Sequence, residues 1–415
     1  MSFDRYALVT AGLVAGSAAF LSAQQPPAPP QVSAVQTEDP VRTLVDRLDL
    51  EKYKATIKGL TQFGDRRQGT DRNRAAIDWI EAQLKSYGCT NTERIKYEYA
   101  PAPRTGAGAG GGRGAGRGGQ RGGGGRGAGP QKGFRGPTGV NNDPTRQPDQ
   151  QLRELNMQPS TPGSREEVYC TKIGTTRPGE MYVVGGHMDG IGYGQAANDD
   201  GSGTAIVMEL ARVFNSPDVR TERSIRFIFW NNEETGLNGS RAYVEQRREL
   251  QGKEDPPGSG KYPEPKWLGV IQHDMMMFDH GMPRADGTVP PEQRPEADVN
   301  IEFAGSSKMS ADSQALAWLF REANERYATD YPATVGNRMQ STDSVPFQDH
   351  VAAISLRENE RRAQIGTGWD PHWHQPTDVF TTFSDNDFRL GLNAAQTTLA
   401  AIAQLAGARM TSTSR

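Results

Sequence analysis

Four short clusters of His, Asp and Glu sit where apolar runs of the chain give way to polar residues. Gly185-Gly-His187-Met-Asp189 closes one run, and twelve residues after His187 the stretch Ala197-Asn-Asp199-Asp200-Gly-Ser-Gly203 opens a helical pattern. Trp230-Asn-Asn-Glu233-Glu234 closes a second run and Gln272-His-Asp274-Met a third. Taken singly, each has an ordinary structural explanation: acids at loop starts cap helices, Asp-Gly pairs turn the chain, and adjacent glutamates make a solvated face. In an open α/β sheet, however, functional groups collect at the carboxyl ends of strands. Successive strand ends that deliver His187, Asp199, Glu234 and Asp274 make a metal site. One His among several carboxylates suits zinc, with manganese or cobalt as alternatives.

A second imidazole ligand must come from a small set, because the chain has only six histidines. His280 and His350 lie in polar, loop-like stretches and read as surface residues. His273 adjoins Asp274 and points to the opposite face of a strand. His372 and His374 remain, in Asp370-Pro-His-Trp-His-Gln-Pro-Thr-Asp378. Spacing does not choose between them.

The elements that must position these groups are legible from periodicity. Thr70 caps an amphipathic helix that carries Ala76, Ile77, Ile80 and Leu84 on one face and ends at Gly88. Strands are expected at 92–99, 166–173, 181–185, 224–230 and 267–274, with helices at 202–214 and 236–250 between them. A strand at 299–303, a helix at 310–328, a strand near 351–355 and a closing helix at 385–406 follow. Strands joined by helices of this length give an α/β fold, a mixed and largely parallel central sheet with helices on both faces. Two Pro-rich stretches, 251–265 and 281–298, read as loops that shape a site mouth.

Composition bounds the rest. The 415 residues carry 47 Lys and Arg against 50 Asp and Glu, a net charge of −3, which points to neither a nucleic-acid nor a membrane partner. That balance conceals residues 104–136, with six Arg, one Lys and no acid, so the remainder carries −10. The Gly/Arg stretch, with its continuation to about 162, has too few apolar groups to offset ordering entropy and reads as a disordered insertion at about 101–162. It lacks the interleaved aromatics of a single-strand binder and the Gly-Lys-Ser/Thr of a phosphate loop. Residues 1–23 read as a signal peptide and 24–40 as a Pro/Gln-rich spacer, which predicts an exported, periplasmic or extracellular protein, with an uncleaved membrane anchor as the alternative. One domain is then expected over 41–407, followed by a tail at 408–415. In an oxidising compartment Cys89 and Cys170 are candidates for a disulfide.

Taken together, His187-x-Asp189, Asn198-Asp-Asp-Gly-Ser-Gly203, Glu233-Glu234-x-Gly, His273-Asp274-Met275 and Pro371-x-x-His374-x-x-x-Asp378 resemble the M28 family of zinc peptidases, in family order. The family includes secreted bacterial aminopeptidases. The resemblance implies the zinc-exopeptidase, phosphorylase/hydrolase-like fold and a pair of zinc ions: His187 and Asp274 on one, Glu234 and His374 on the other, Asp199 bridging. It selects His374 over His372. Glu233 would be the general base, Asp189 would orient His187, and Asp378 would support the late His segment. Trp373 is a candidate substrate contact. Asp343 would lie just outside the ligands, in Thr342-Asp-Ser344 where relatives commonly carry Asp-His. The implied substrate is a peptide, and the implied activity that of an aminopeptidase. The alternatives are a carboxypeptidase, with Arg357, Arg361 or Arg362 as carboxylate anchor, a single-metal glutaminyl cyclase-like enzyme, and a non-catalytic surface binding protein. The Asp199-Asp200 bond is expected to be cis.

Overall fold

Apolar alternation along the central strands builds two cores, one on each face of a single sheet. In the computed structural model, which describes residues 39–100, 139–279, 298–358 and 370–411, the chain begins with helices α1 (Pro40–Val45), α2 (Leu50–Thr61) and α3 (Asp71–Ser86). Strand β1 (Thr92–Tyr99), helix α4 (Gln150–Asn156), and strands β2 (Gly163–Lys172) and β3 (Arg177–His187) come next. Helix α5 (Gly201–Phe214), strands β4 (Val219–Arg220) and β5 (Arg223–Trp230), helix α6 (Asn238–Arg247) and strand β6 (Lys266–His273) follow. The chain closes with β7 (Val299–Phe303), α7 (Ser310–Tyr327), β8 (Ala333–Gly336), β9 (Ala353–Arg357), α8 (Asp385–Leu405) and β10 (Arg409–Met410).

Eight strands form the main sheet in the order β1-β2-β5-β3-β6-β9-β7-β8. The centre is parallel, β3 pairing with both β5 and β6 and β6 with β9, while β1-β2, β2-β5 and β7-β9 are antiparallel. Because successive strand side chains point to opposite faces, Ile225, Phe227 and Phe229 of β5 join the larger core under α1, α2, α3, α5, α7 and α8. Ile228 and Trp230 of the same strand face the smaller, aromatic core with Tyr243 of α6, Trp267 and Phe347. The expected mixed sheet with helices on both faces is the one found, with most helices on one face.

Thr70 caps α3 as its position predicts, its hydroxyl accepting from the Asn73 N–H. The short α1 and α2 have no counterpart in the sequence expectations. Residues 139–162, expected to be disordered with the Gly/Arg stretch, are instead ordered: α4 packs on the body and Asn156 closes it with side-chain hydrogen bonds to Asp65 and Gly194. Polar amides fix this segment beside a single buried leucine, Leu152, which is why a hydrophobicity argument misses it. The tail is shorter than expected, since Arg409 and Met410 pair with β4. The signal segment, the spacer to residue 38 and the basic stretch to residue 138 lie outside the described residues, while Asp39 and Pro40 of the expected spacer open α1.

Cys89 and Cys170 are joined, their Cα atoms 6.3 Å apart, tying the end of α3 to β2. The Asp199-Asp200 bond is cis. The 251–265 loop is not at the site mouth. It precedes Lys266 at the start of β6, whereas His273 at the other end of that strand adjoins the acidic clusters. Glu264 anchors this loop, buried against Arg226, Tyr243 and Trp267. Of the other Pro-rich loop, residues 281–297 lie outside the described residues.

Candidate metal centre

Parallel register brings the clusters together. His187 stands opposite Trp230 in the β3-β5 pair, Gly186 opposite His273 in β3-β6, and His273 opposite Leu356 in β6-β9. The residues that follow these ends therefore open into one space. Helix α5 points its N-terminus there, and the approach is close: a Cβ on Gly186 would sit 2.8 Å from the Gly203 carbonyl carbon, so the pair has room for no side chain.

In that space the His187 Nε2 lies 3.3 Å from Oδ1 of Asp199 and 4.0 Å from Oδ1 of Asp274. The His374 Nε2 lies 2.9 Å from Oδ2 of Asp199 and 2.9 Å from Oε2 of Glu234. Asp199 thus turns one oxygen to each imidazole. Two overlapping triads have ligand atoms within 4.8 Å of one another, His187 with Glu233 and Asp274, and His187 with Asp199 and Glu234.

This donor set fits a divalent cation on two observations. Oε1 of Glu234 is buried with no hydrogen-bond partner, a costly state that an ion relieves. The pocket also favours positive charge where the imidazoles stand. Burial opposes a charged ring at His187, yet Asp200, Glu233 and Asp199 together raise it well above the ordinary range; Glu234 and Asp199 do the same at His374. Burial would lift the Asp199 carboxyl, but His374 and His187 hold it well below the usual carboxylate range. Burial pushes Glu234 up to about 7, and Glu233 well above the ordinary value.

The surrounding groups hold these side chains in place, not always as the sequence suggested. The Nδ1 of His187 lies 3.0 Å from the carbonyl oxygen of Asp189, which fixes the tautomer that leaves Nε2 for an ion. The Asp189 carboxylate is 3.9 Å away and instead accepts from the backbone N–H of Glu233 at 3.0 Å. Asp189 therefore orients both His187 and Glu233, the first through its backbone. Asp378 bonds to the late His segment only through its backbone N–H, which donates to the Gln375 carbonyl. Its carboxylate accepts from the backbone N–H groups of Asn198 and Asp199. Asp343 is buried, accepts from Ser240 Oγ at 2.5 Å, and is pushed up to about 7 by burial. Trp373 stacks on the His374 ring with centroids 4.1 Å apart, so it packs against a site residue.

The other histidines separate as expected where they are described. His273 turns away, its ring between Gly185 O and Thr398 Oγ1. The His372 Nδ1 meets Thr377 Oγ1, and His350 is exposed; His280 lies outside the described residues.

Asp200 and Arg66, to which the sequence assigned no role, also shape the site, as does Arg357 in a role other than the expected carboxylate anchor. Asp200 accepts from the N–H groups of His187, Gly203 and Met275, joining three of the converging segments. Arg66 is buried and donates to the carbonyls of Met188, Gln195 and Ala196, which bracket the loop leading to Asp199. Arg357 donates to the Asp274 carboxylate. The Asn198-Asp-Asp-Gly motif contained a signal for Asp200; a lone Arg in a loop looks the same in sequence whether buried or solvated.

With this geometry in place, the sequence profile of peptidase family M28 matches residues 168–396. The chain belongs to this peptidase family. Among M28 relatives, a probable lipoprotein aminopeptidase of Mycobacterium tuberculosis is 42% identical over 83 residues, 20% of this chain and 16% of that protein. A probable leucine aminopeptidase of Aspergillus oryzae is 25% identical over 219 residues, 52% of this chain and 40% of that one. The chain thus matches well under half the length of either. A zinc aminopeptidase of Bacillus subtilis has the same fold, with a TM-score of 0.56 at 16% identity over 86% of this chain and 95% of that one.

Proposed function

We propose that this M28 protein is an exported zinc exopeptidase, an aminopeptidase that removes N-terminal residues from peptides through a two-metal centre. The observation that carries the reading is the placement of Asp199, with its two oxygens facing His187 and His374 at 3.3 and 2.9 Å. His187 and Asp274 would hold one zinc, Glu234 and His374 the other, and Asp199 would bridge. Manganese or cobalt would suit the same donors. Bound there, such a pair polarises a peptide carbonyl and lowers the pKa of a shared water.

Glu233 stays outside the ligand set in this reading. Its backbone is fixed by Asp189, and burial raises its carboxyl, which suits a group that takes a proton from the attacking water and returns it to the leaving amine. Of the three basic groups expected to serve a carboxypeptidase, Arg357 is engaged by Asp274, which supports recognition of the substrate's amino end, while Arg361 and Arg362 lie outside the described residues. The export assignment rests on the apolar N-terminal segment and on the disulfide; among the described residues no helix is long and apolar enough to cross a membrane.

The test is hydrolysis of aminoacyl and N-blocked peptides by the purified chain, beside its zinc content. Two zinc ions per chain, cleavage only of free N-termini, and a loss of roughly 10³-fold or more in kcat for Glu233→Gln with both ions retained are expected. Activity confined to N-blocked peptides would sink the aminopeptidase assignment. A single ion would sink the two-metal mechanism.

A further inference from the structure

Between the Gly/Arg stretch and β2, residues 139–156 run across the back of two loops that approach the candidate metal centre, Gly192–Gly194 and His374–Pro376. These loops nearly touch: a Cβ on Gly192, whose φ is +100°, would stand 2.4 Å from the His374 carbonyl. His374 itself has a φ of 56°, a left-handed conformation that a residue with a Cβ keeps only where its surroundings enforce it. The carbonyls of both loops are acceptors only, so where they are buried donors must come from elsewhere.

The segment supplies them. Asn141 donates its backbone N–H to the His374 carbonyl at 3.0 Å and its Nδ2 to the Gly192 carbonyl at 3.2 Å. Gln147 donates Nε2 to the carbonyls of both Tyr193 and Pro376, at 2.7 and 2.9 Å. Asn156 donates to the Gly194 carbonyl at 2.7 Å, and Gln375 reaches back to the Gly139 carbonyl at 2.8 Å. All three side chains of the segment are buried, and Arg153 fixes the turn between them by donating to the Gln147 carbonyl.

We infer that residues 139–156 are a positioning strap: Asn141, Gln147 and Asn156 clamp the 192–194 loop to the 374–376 segment and thereby set the position of the His374 ring. Gln147 is the central rivet, since one amide nitrogen bridges the two loops. The inference rests on the proposed role of His374 as a ligand. It assigns the strap to the ion held by His374 and Glu234, because Asn141 bonds the His374 carbonyl directly, whereas the strap meets the loop between His187 and Asp199 only at residues 192–194.

Zinc titration of the metal-free chain against a chromophoric chelator tests this in wild type, Gln147→Ala and Asn141→Ala, the last serving if Gln147→Ala fails to fold. One of two zinc affinities should fall by roughly 10- to 100-fold while the other holds. In the metal-free chain, hydrogen exchange at amides 192–195, 374 and 375 should accelerate roughly tenfold, with β3 and β5 unchanged. Unchanged affinities and exchange in the variants would overturn the strap and leave the metal reading standing. Equal weakening of both ions with faster exchange across the sheet would also overturn it, as general destabilisation. A folded wild type that binds no zinc would overturn the metal reading itself, and the strap then stands or falls on the local exchange alone.

Discussion

Asp378 holds Asp199 by its backbone: Oδ2 accepts the Asp199 N–H at 3.1 Å while Oδ1 accepts that of Asn198 at 2.8 Å. The carboxylate that faces both imidazoles is thus aimed by a residue 179 positions later in the chain. Asp378→Asn puts an NH2 group against one of these N–H groups, so one pairing must be lost. Zinc affinity should fall roughly 10- to 100-fold and kcat with it, with KM nearly unchanged. Chelator competition and steady-state kinetics measure both.

Arg357 pairs with Asp274 and would act on that side chain and not on the substrate. Arg357→Met should therefore slow cleavage of peptides with free and with amidated C-termini by the same factor. A loss confined to free carboxylates would restore the carboxypeptidase reading.

The disulfide joins residues 81 apart and closes the loop containing the Gly/Arg stretch. By chain entropy, replacing both cysteines with serine should cost about 4 kcal/mol of stability. Urea unfolding of the variant beside wild type reads this directly, and the same shift is expected for wild type unfolded with a thiol reductant.

Arg94 of β1 ties α3 to β2 by pairing with Asp78, Glu81 and Glu166. Lys85 and Arg94 hold Glu81 below its ordinary range; at Glu166 burial acts in the opposite sense, but Lys96 and Arg94 outweigh it. Because these folded-state values are lowered, their stabilisation is present above the unfolded carboxyl range and is lost as pH falls from there through the lowered folded-state values. Arg94→Gln should lower the urea midpoint at pH 6 by a margin equivalent to roughly 1 kcal/mol, and the gap to wild type should narrow between about pH 5 and pH 3.

The sequence by itself determined every strand of the main sheet but β8, and the candidate ligands of the site. Alternating apolar residues commit a strand to two cores, so β1 and β7 are legible to the residue, and α3, α5, α6, α7 and α8 to within a few positions. The clusters ending at His187, Glu234 and Asp274 are legible because a strand end fixes where its next residues emerge. The tertiary structure decided what is non-local and polar. It turned the Asp189 carboxylate to Glu233, gave the Asp378 carboxylate to the Asn198 and Asp199 amides, and ordered residues 139–162. Each outcome depends on a hydrogen bond between segments tens to hundreds of residues apart, and an Asn, Asp or Arg has the same one-letter code whether its partner is water or a buried carbonyl.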